Sequence, residues 1–196
     1  MARSRYKIFE TDYPYFTTCT VVEWLPLLRT EFAKQTILES LKYLQKEKGL
    51  KVFVYTIMHN HLHVIISSEN IVKNMCQFKS FTARRIIDYY QMEAEHSGAE
   101  PWNEDSNNSG YGALLRSREV LRLLSKLNPE YHTDSQHQFW QEGYCPKQIM
   151  SMEIFQQKLD YIHFNPVRKG YVQLPEEWKW SSANPNGCII LDQIID

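Results

Sequence analysis

The 196-residue sequence has no run of ~18 to 20 consecutive apolar residues, the length that a membrane-spanning helix needs. Its first stretch, MARSRYKIFETDYPYF, carries basic residues but no apolar segment of the kind that marks a secretory leader. Both absences point to a soluble, cytoplasmic protein with no membrane partner. Cysteine is scarce: Cys19, Cys76, Cys145 and Cys188 stand far apart without a CxxC pair, which argues against a zinc ribbon and a disulfide framework and for reduced thiols. An excess of one charge is also missing. With 22 Lys and Arg against 23 Asp and Glu, the formal net charge is −1, so any nucleic-acid binding must rest on local basic patches. No internal repeat or long linker interrupts the chain. Its 43% hydrophobic content supports one sizeable core, and a single domain over residues 1–196 is expected rather than two small ones.

Four basic patches are present: Arg3, Arg5 and Lys7; Lys73, Lys79, Arg84 and Arg85; Arg116, Arg118, Arg122 and Lys126; and Arg168 with Lys169. A charge run is by default a solvated face, so these gain meaning only beside a site.

Periodicity sets the elements. YFTTCTVV, from Tyr15 to Val22, reads as a strand. Ala33, Ile37, Leu41 and Leu44 recur at helical spacing, and Gly49 supplies a natural C-cap. LKVFVYTIM and HLHVIIS read as two strands joined tightly through HN. From about Ile71 a helix follows, with Met75, Phe78, Thr82, Ile86 and Tyr89 on one stripe and Lys73, Gln77 and Arg84 on another. Residues 96 to 112 are rich in Gly, Asn, Ser and acids, the mark of an exposed loop or disordered insertion. ALLRSREVLRLLSKL then has helical periodicity through Leu115, Val120, Leu123, Leu124 and Leu127, and is expected to cover the sheet. HQFWQEGY reads as a strand limited by Pro146. Ser151 is a plausible N-cap for a helix buried through Phe155, Leu159 and Ile162, expected to stop at Asn165 before Pro166. The element order predicts an α+β fold, a ferredoxin-like or RNA-recognition-like antiparallel sheet with helices packed on one face.

Within YTIMHNHLHVIIS, residues 55 to 67, two histidines stand one residue apart. On a strand, i and i+2 share a face, so His61 and His63 project side by side while Leu62 enters the opposite layer. That arrangement suits one divalent metal, and it also suits two half-buried, hydrogen-bonded histidines. The tripeptide His59, Asn60, His61 spells the name of a nuclease class whose three residues are spread across a hairpin and a helix, so the letters are coincidental. HxHxDH metal chemistry is excluded by Val64, Ile65 and Ile66. Later in the chain, KLDYIHFNPVRKG, residues 158 to 170, puts Lys158, Tyr161 and Asn165 on a polar face beside the buried stripe. A tyrosine packed at the rim of a core and an asparagine ending a helix are the simple alternative.

MHNHLHVII followed by WQEGY, KLDYIHFNPVRKGYV and WKWSS resembles, in order, the HUH single-tyrosine transposases, in particular the REP-associated branch. The segment from about 96 to 137 stands as an enlarged insertion. The resemblance implies a single-stranded DNA transposase or a domesticated relative that cuts and rejoins DNA through a covalent 5′-phosphotyrosine. It implies Tyr161 as nucleophile, His61 and His63 as metal ligands and Asn165 as a polar residue completing the site, with magnesium or manganese as the cofactor. Lys73, Lys79, Arg84, Arg85, Lys158, Arg168 and Lys169 are the candidate contacts to single-stranded or hairpin DNA, with Trp140 or Tyr144 as possible stacking partners. The protein would act as a monomer or homodimer. His59 stands where the branch usually has proline, and WQEGYCPKQI lacks the charged residues the branch often carries after WQ. His59 is thereby a possible third imidazole near the metal. The rival readings are a noncatalytic single-strand binding protein on the same fold and a hydrolase acting through activated water.

Overall fold

A computed structural model describes residues 13–96, 117–126, 138–142, 146–187 and 189–193. Arg3, Arg5, Lys7, the loop of 97–112, Leu115, Arg116, Leu127, Tyr144, Cys145 and Cys188 lie outside the described residues.

Strand β1, Tyr15–Thr20, is the Thr- and aromatic-rich stretch, and it gives way to a 3-10 turn at Val22–Trp24. Helix α1, Glu31–Lys48, opens where the Thr30 side chain accepts from the Ala33 amide and closes at Gly49 with φ of 62°, the left-handed geometry that glycine adopts without steric cost. Strands β2, Lys51–Ile57, and β3, His61–Ser67, form the expected hairpin, and α2 runs from Ile71 to His96. After α3, Ser117–Lys126, come β4, Lys147–Gln148, α4, Met152–His163, and α5, Asn165–Arg168. The sheet order is β2-β3-β1-β4 with every pair antiparallel, the ferredoxin-like arrangement.

Strand alternation splits the side chains into two layers. Cys19, Leu62, Val64 and Ile66 join α1 and α2 residues such as Ile37, Leu41, Phe78 and Ile86 in the main core. Phe16, Phe53, Ile65, Ile149 and Ile162 form a smaller core on the other side, with Phe155 and Leu159 packed against it. The α+β sheet and the α1 and α2 layer match expectation. Helix α4 instead covers the opposite face, where Ile162 is the residue of its stripe that is fully buried.

Four local expectations change. Helix α3 packs against α2 rather than the sheet, through Val120 and Leu124 and a bond from the Arg118 guanidinium to the Ala94 carbonyl at 3.1 Å. The fourth strand lies after Pro146, not before it; Trp140 makes a single bridge to Val21 instead. The Trp140 ring is buried, its Nε1 donating to Thr82 Oγ1 at 3.1 Å, so it is core and not a stacking surface for bases. Finally, α4 ends at His163 and the chain turns helical again at Asn165, because Pro166 near the start of a new helix needs no hydrogen bond from its nitrogen.

Candidate active site

Two imidazoles define the centre of the α4-covered face. Both histidines of β3 are buried at 5% exposure, with ring centroids 4.6 Å apart. Each is held through Nδ1. Asn60 Nδ2 donates to the Trp24 carbonyl at 3.1 Å, which turns Asn60 Oδ1 toward His61; Nδ1–H of His61 donates to it at 2.7 Å. Nε2 of His61 is thereby left with its lone pair. Thr18, the cross-strand partner of His63, places Oγ1 2.8 Å from its Nδ1. Burial, with the charge of Lys169, lowers the pKa of His61 to about 4, and burial, with His61 beside it, lowers that of His63 to about 3. Both rings are neutral at physiological pH, the form in which imidazole binds a cation.

Tyr161 sits on α4 with its ring centroid 5.2 Å from that of His63, in the same chain. Phe16 of β1 braces the pair, stacked on His63 at 5.6 Å and edge-on to Tyr161 at 6.0 Å. The tyrosine remains 39% exposed, so a substrate can reach it. Two cations flank its ring: the Arg168 guanidinium lies 5.6 Å from the centroid and the Lys158 ammonium 6.0 Å. The end of α4 is anchored by His163, whose Nε2 lies 2.8 Å from Ser182 Oγ, a hydroxyl bonded in turn to the Tyr55 carbonyl at 3.1 Å. Burial lowers the pKa of His163, outweighing the opposing effect of Asp160.

Asn165 is 7% exposed, and its Oδ1 is buried with no hydrogen-bond partner. An orphaned buried acceptor costs about 1–3 kcal/mol, so this oxygen calls for a water or a cation. Among the described residues no group of three or more His, Cys, Asp and Glu could hold a metal. Two neutral imidazoles suit manganese or zinc more readily than magnesium, which prefers oxygen ligands, and the amide oxygen of Asn165 is the further donor that a manganese or magnesium ion would need.

His59 does not join the pair. Its ring packs on Tyr171 at 4.4 Å and faces Trp178 at 5.6 Å, and burial followed by the charges of Lys34 and Arg29 lowers its pKa to about 4. The basic candidates divide in the same way. Lys158, Arg168 and Lys169 gather at the tyrosine and His61, whereas Lys73, Lys79, Arg84 and Arg85 ride on α2, in the layer behind the sheet. Arg85 lies over the Phe32 ring at 5.9 Å. Thr18, Asn60, Phe16 and Trp24 were not legible as site residues. For Thr18 and Phe16 the signal exists in strand pairing alone, since neither sits in a motif.

The fold and site define an α+β protein with a histidine pair facing a helical tyrosine. Residues 20–113 match the family described as transposase, IS200 like. A solved REP-associated tyrosine transposase bound to a REP hairpin shares the fold, with a TM-score of 0.58 and 13% identity over 93% of this chain and 82% of that chain. A protein from Deinococcus radiodurans r1 aligns with a TM-score of 0.42 and 14% identity over 83% of this chain and 95% of that one. No curated protein matches the chain significantly. The match over residues 20–113, just under half of the chain, is to IS200-like transposases, and the solved REP-associated tyrosine transposase shares the fold. Among the described residues no helix is long and apolar enough to cross a membrane.

Proposed function

We propose that this chain is a metal-dependent transposase of the REP-associated branch, cutting and rejoining single-stranded or hairpin DNA through a 5′-phosphotyrosine on Tyr161. The observation that carries the reading is Tyr161 lying 5.2 Å from His63 within one chain, on the face of the sheet that also bears His61. His61 and His63 through Nε2 and Asn165 through Oδ1 would hold a magnesium or manganese ion. When bound, the ion would supply charge compensation and orientation at the scissile phosphate.

The chain's own groups do the rest. Asn60 and Thr18 fix the imidazoles; Phe16 and Arg168 hold the phenol in place. In the transfer, the Tyr161 oxygen forms a bond to phosphorus as the P–O3′ bond breaks. The phenol proton passes to solvent and the departing 3′ oxygen gains one. Lys158 and Arg168 favour the developing phenolate charge, and Lys169 with Arg168 neutralises neighbouring phosphates. The bond energy stays in the phosphotyrosine, so a second 3′-hydroxyl can attack it without an external energy source. Because histidines and tyrosine come from one chain, a monomer suffices for cleavage, and a homodimer is compatible with it. A single catalytic domain with the 96–137 insertion, acting in the cytoplasm, completes the reading.

The test is a denaturing gel for protein-linked DNA after incubation with manganese or magnesium and labelled single-stranded and hairpin oligonucleotides. An adduct is expected, lost on EDTA treatment before mixing, in Tyr161→Phe and in His61→Ala. Tight binding without any adduct would favour the noncatalytic binding protein, and cleavage surviving Tyr161→Phe would favour activated water.

A further inference from the structure

Four rings follow one another across the site by successive contacts. Trp24 lies edge-on to His61 at 5.6 Å, His61 is 4.6 Å from His63, and His63 is 5.2 Å from Tyr161. The candidate nucleophile stands at one end and an indole, 57% exposed, at the other. Trp24 has φ of 56° and follows Glu23 at 51°, two consecutive left-handed residues without a glycine. Side chains with a Cβ pay for that geometry in steric strain, and such strain collects at sites where it is part of the function. The turn is nonetheless tightly held: the Trp24 amide donates to the Val21 carbonyl at 3.0 Å, and the Leu25 amide to that of Val22 at 3.1 Å. Asn60 completes the arrangement, binding the Trp24 carbonyl with one end of its amide and His61 with the other. Packing does not explain the indole, since Val21 and Val22 provide the buried surface of this turn.

We infer that Trp24 is the stacking platform for one unpaired nucleobase, that of the nucleotide on the 5′ side of the scissile phosphate. The inference rests on the tyrosine-transfer reading above. An in-line displacement puts the entering and departing oxygens on opposite sides of phosphorus. With Tyr161 at the His63 end of the series, the 3′-hydroxyl leaves toward the His61 end, where Trp24 stands. As the Tyr161–phosphorus bond forms and the P–O3′ bond breaks, the departing strand stays seated by its last base. That 3′ end then remains positioned to attack the phosphotyrosine again. Trp24 thus favours rejoining over release, and its stacking tolerates any base because each has a π-face.

The test uses the full chain with manganese and a hairpin flanked by randomised single strands. Sequencing the DNA linked to Tyr161 locates the cleaved phosphate; that oligonucleotide is then remade with an abasic residue on its 5′ or its 3′ side. In the wild type, the 5′ abasic residue is expected to weaken binding roughly 5- to 150-fold, the contribution of one stacked base. Trp24→Ala should lose as much on the intact oligonucleotide and lose nothing more on the abasic one. It should also release the cleaved strand faster. Trp24→Phe should recover most of the affinity. Trp24→Gly should bind as poorly as Trp24→Ala yet melt no lower than the wild type, which a structural tryptophan would not do. An abasic penalty that persists in Trp24→Ala, or one that falls on the 3′ side, overturns the assignment while leaving the tyrosine chemistry standing. No adduct from the wild type overturns both.

Discussion

Leu62, Val64 and Ile66 point from β3 into the layer of α1 and α2, while His61 and His63 point from the same strand toward α4. The backbone hydrogen bonding is shared, yet the two faces differ in what they leave unfinished. The first face is filled by aliphatic and aromatic side chains, although Thr17 Oγ1 on it is buried without a hydrogen bond. The second keeps Thr56 Oγ1, across from His63, without a hydrogen bond, along with two neutral imidazoles and an exposed phenol. One strand can thus carry a core and a site at once, because a period of two separates the residues that hold the fold from those that act.

Exchanging damage between the faces is the sharpest way to break that comparison. His63→Gln keeps similar volume on the site face and should lower adduct formation by about 10²- to 10³-fold or more, with stability changed by less than about 1 kcal/mol. A chemical melt alongside the adduct gel would show whether the two effects separate. Leu62→Ala, one residue away and fully buried, should do the reverse: a loss of about 2–5 kcal/mol in urea unfolding, with the remaining folded protein still forming adduct. If both variants lose stability equally, the division of labour between faces is wrong.

A smaller effect concerns a charge on the packed face. Lys34 of α1 is buried at 3% exposure, its Nζ donating to the Arg29 carbonyl at 2.7 Å and lying 5.5 Å from the Trp180 ring. Burial first, then the charge of Arg29, lowers its pKa from 10.5 to about 8, against a weaker opposing effect of Glu31. Between these values the unfolded chain binds the proton and the folded chain does not. Stability contributed by this group therefore rises as pH increases from about 8 to 10.5. Melting temperatures across that window should climb in the wild type and flatten in Lys34→Met, which keeps the apolar stem and should melt no lower at pH 7. The smallest expected change is at the rim: relieving the left-handed strain with Trp24→Gly should gain up to about 1 kcal/mol.

Long periodic elements were legible in the sequence because each residue repeats the same vote. The α1 stripe, the cap at Gly49, the N-cap at Ser151 and the β2–β3 hairpin all follow from spacing and local chemistry. The two-residue β4 carries no period to read, and Pro166 marks a boundary without saying that a new helix begins across it. The same limits apply to the site. His61, His63 and Tyr161 form short motifs, and the strand period correctly sets the histidines side by side. Which helix layer they would face was hidden, since either side of an apolar strand can take a helix. That choice left the α2 basic residues in the layer behind the sheet and brought Lys158, Arg168 and Lys169 to the tyrosine. His59 shows the limit of sequence proximity: two residues from a candidate ligand, it packs instead with Tyr171 and Trp178.

The edge of β2 is closed by residues that come more than 120 positions later. The Ile57 amide donates to the Trp180 carbonyl, Tyr55 exchanges bonds with Ser182, and the Val52 amide meets the Asp192 carboxylate while the Asp192 amide donates back to Val52. During synthesis the four strands can therefore assemble before their outer border is sealed. Until that later stretch leaves the ribosome, β2 offers a free row of amides and carbonyls to any extended chain nearby. The interval most exposed to misassociation falls between the emergence of β4 and that of the closing residues, and a chaperone that shields this border would be needed only over that interval.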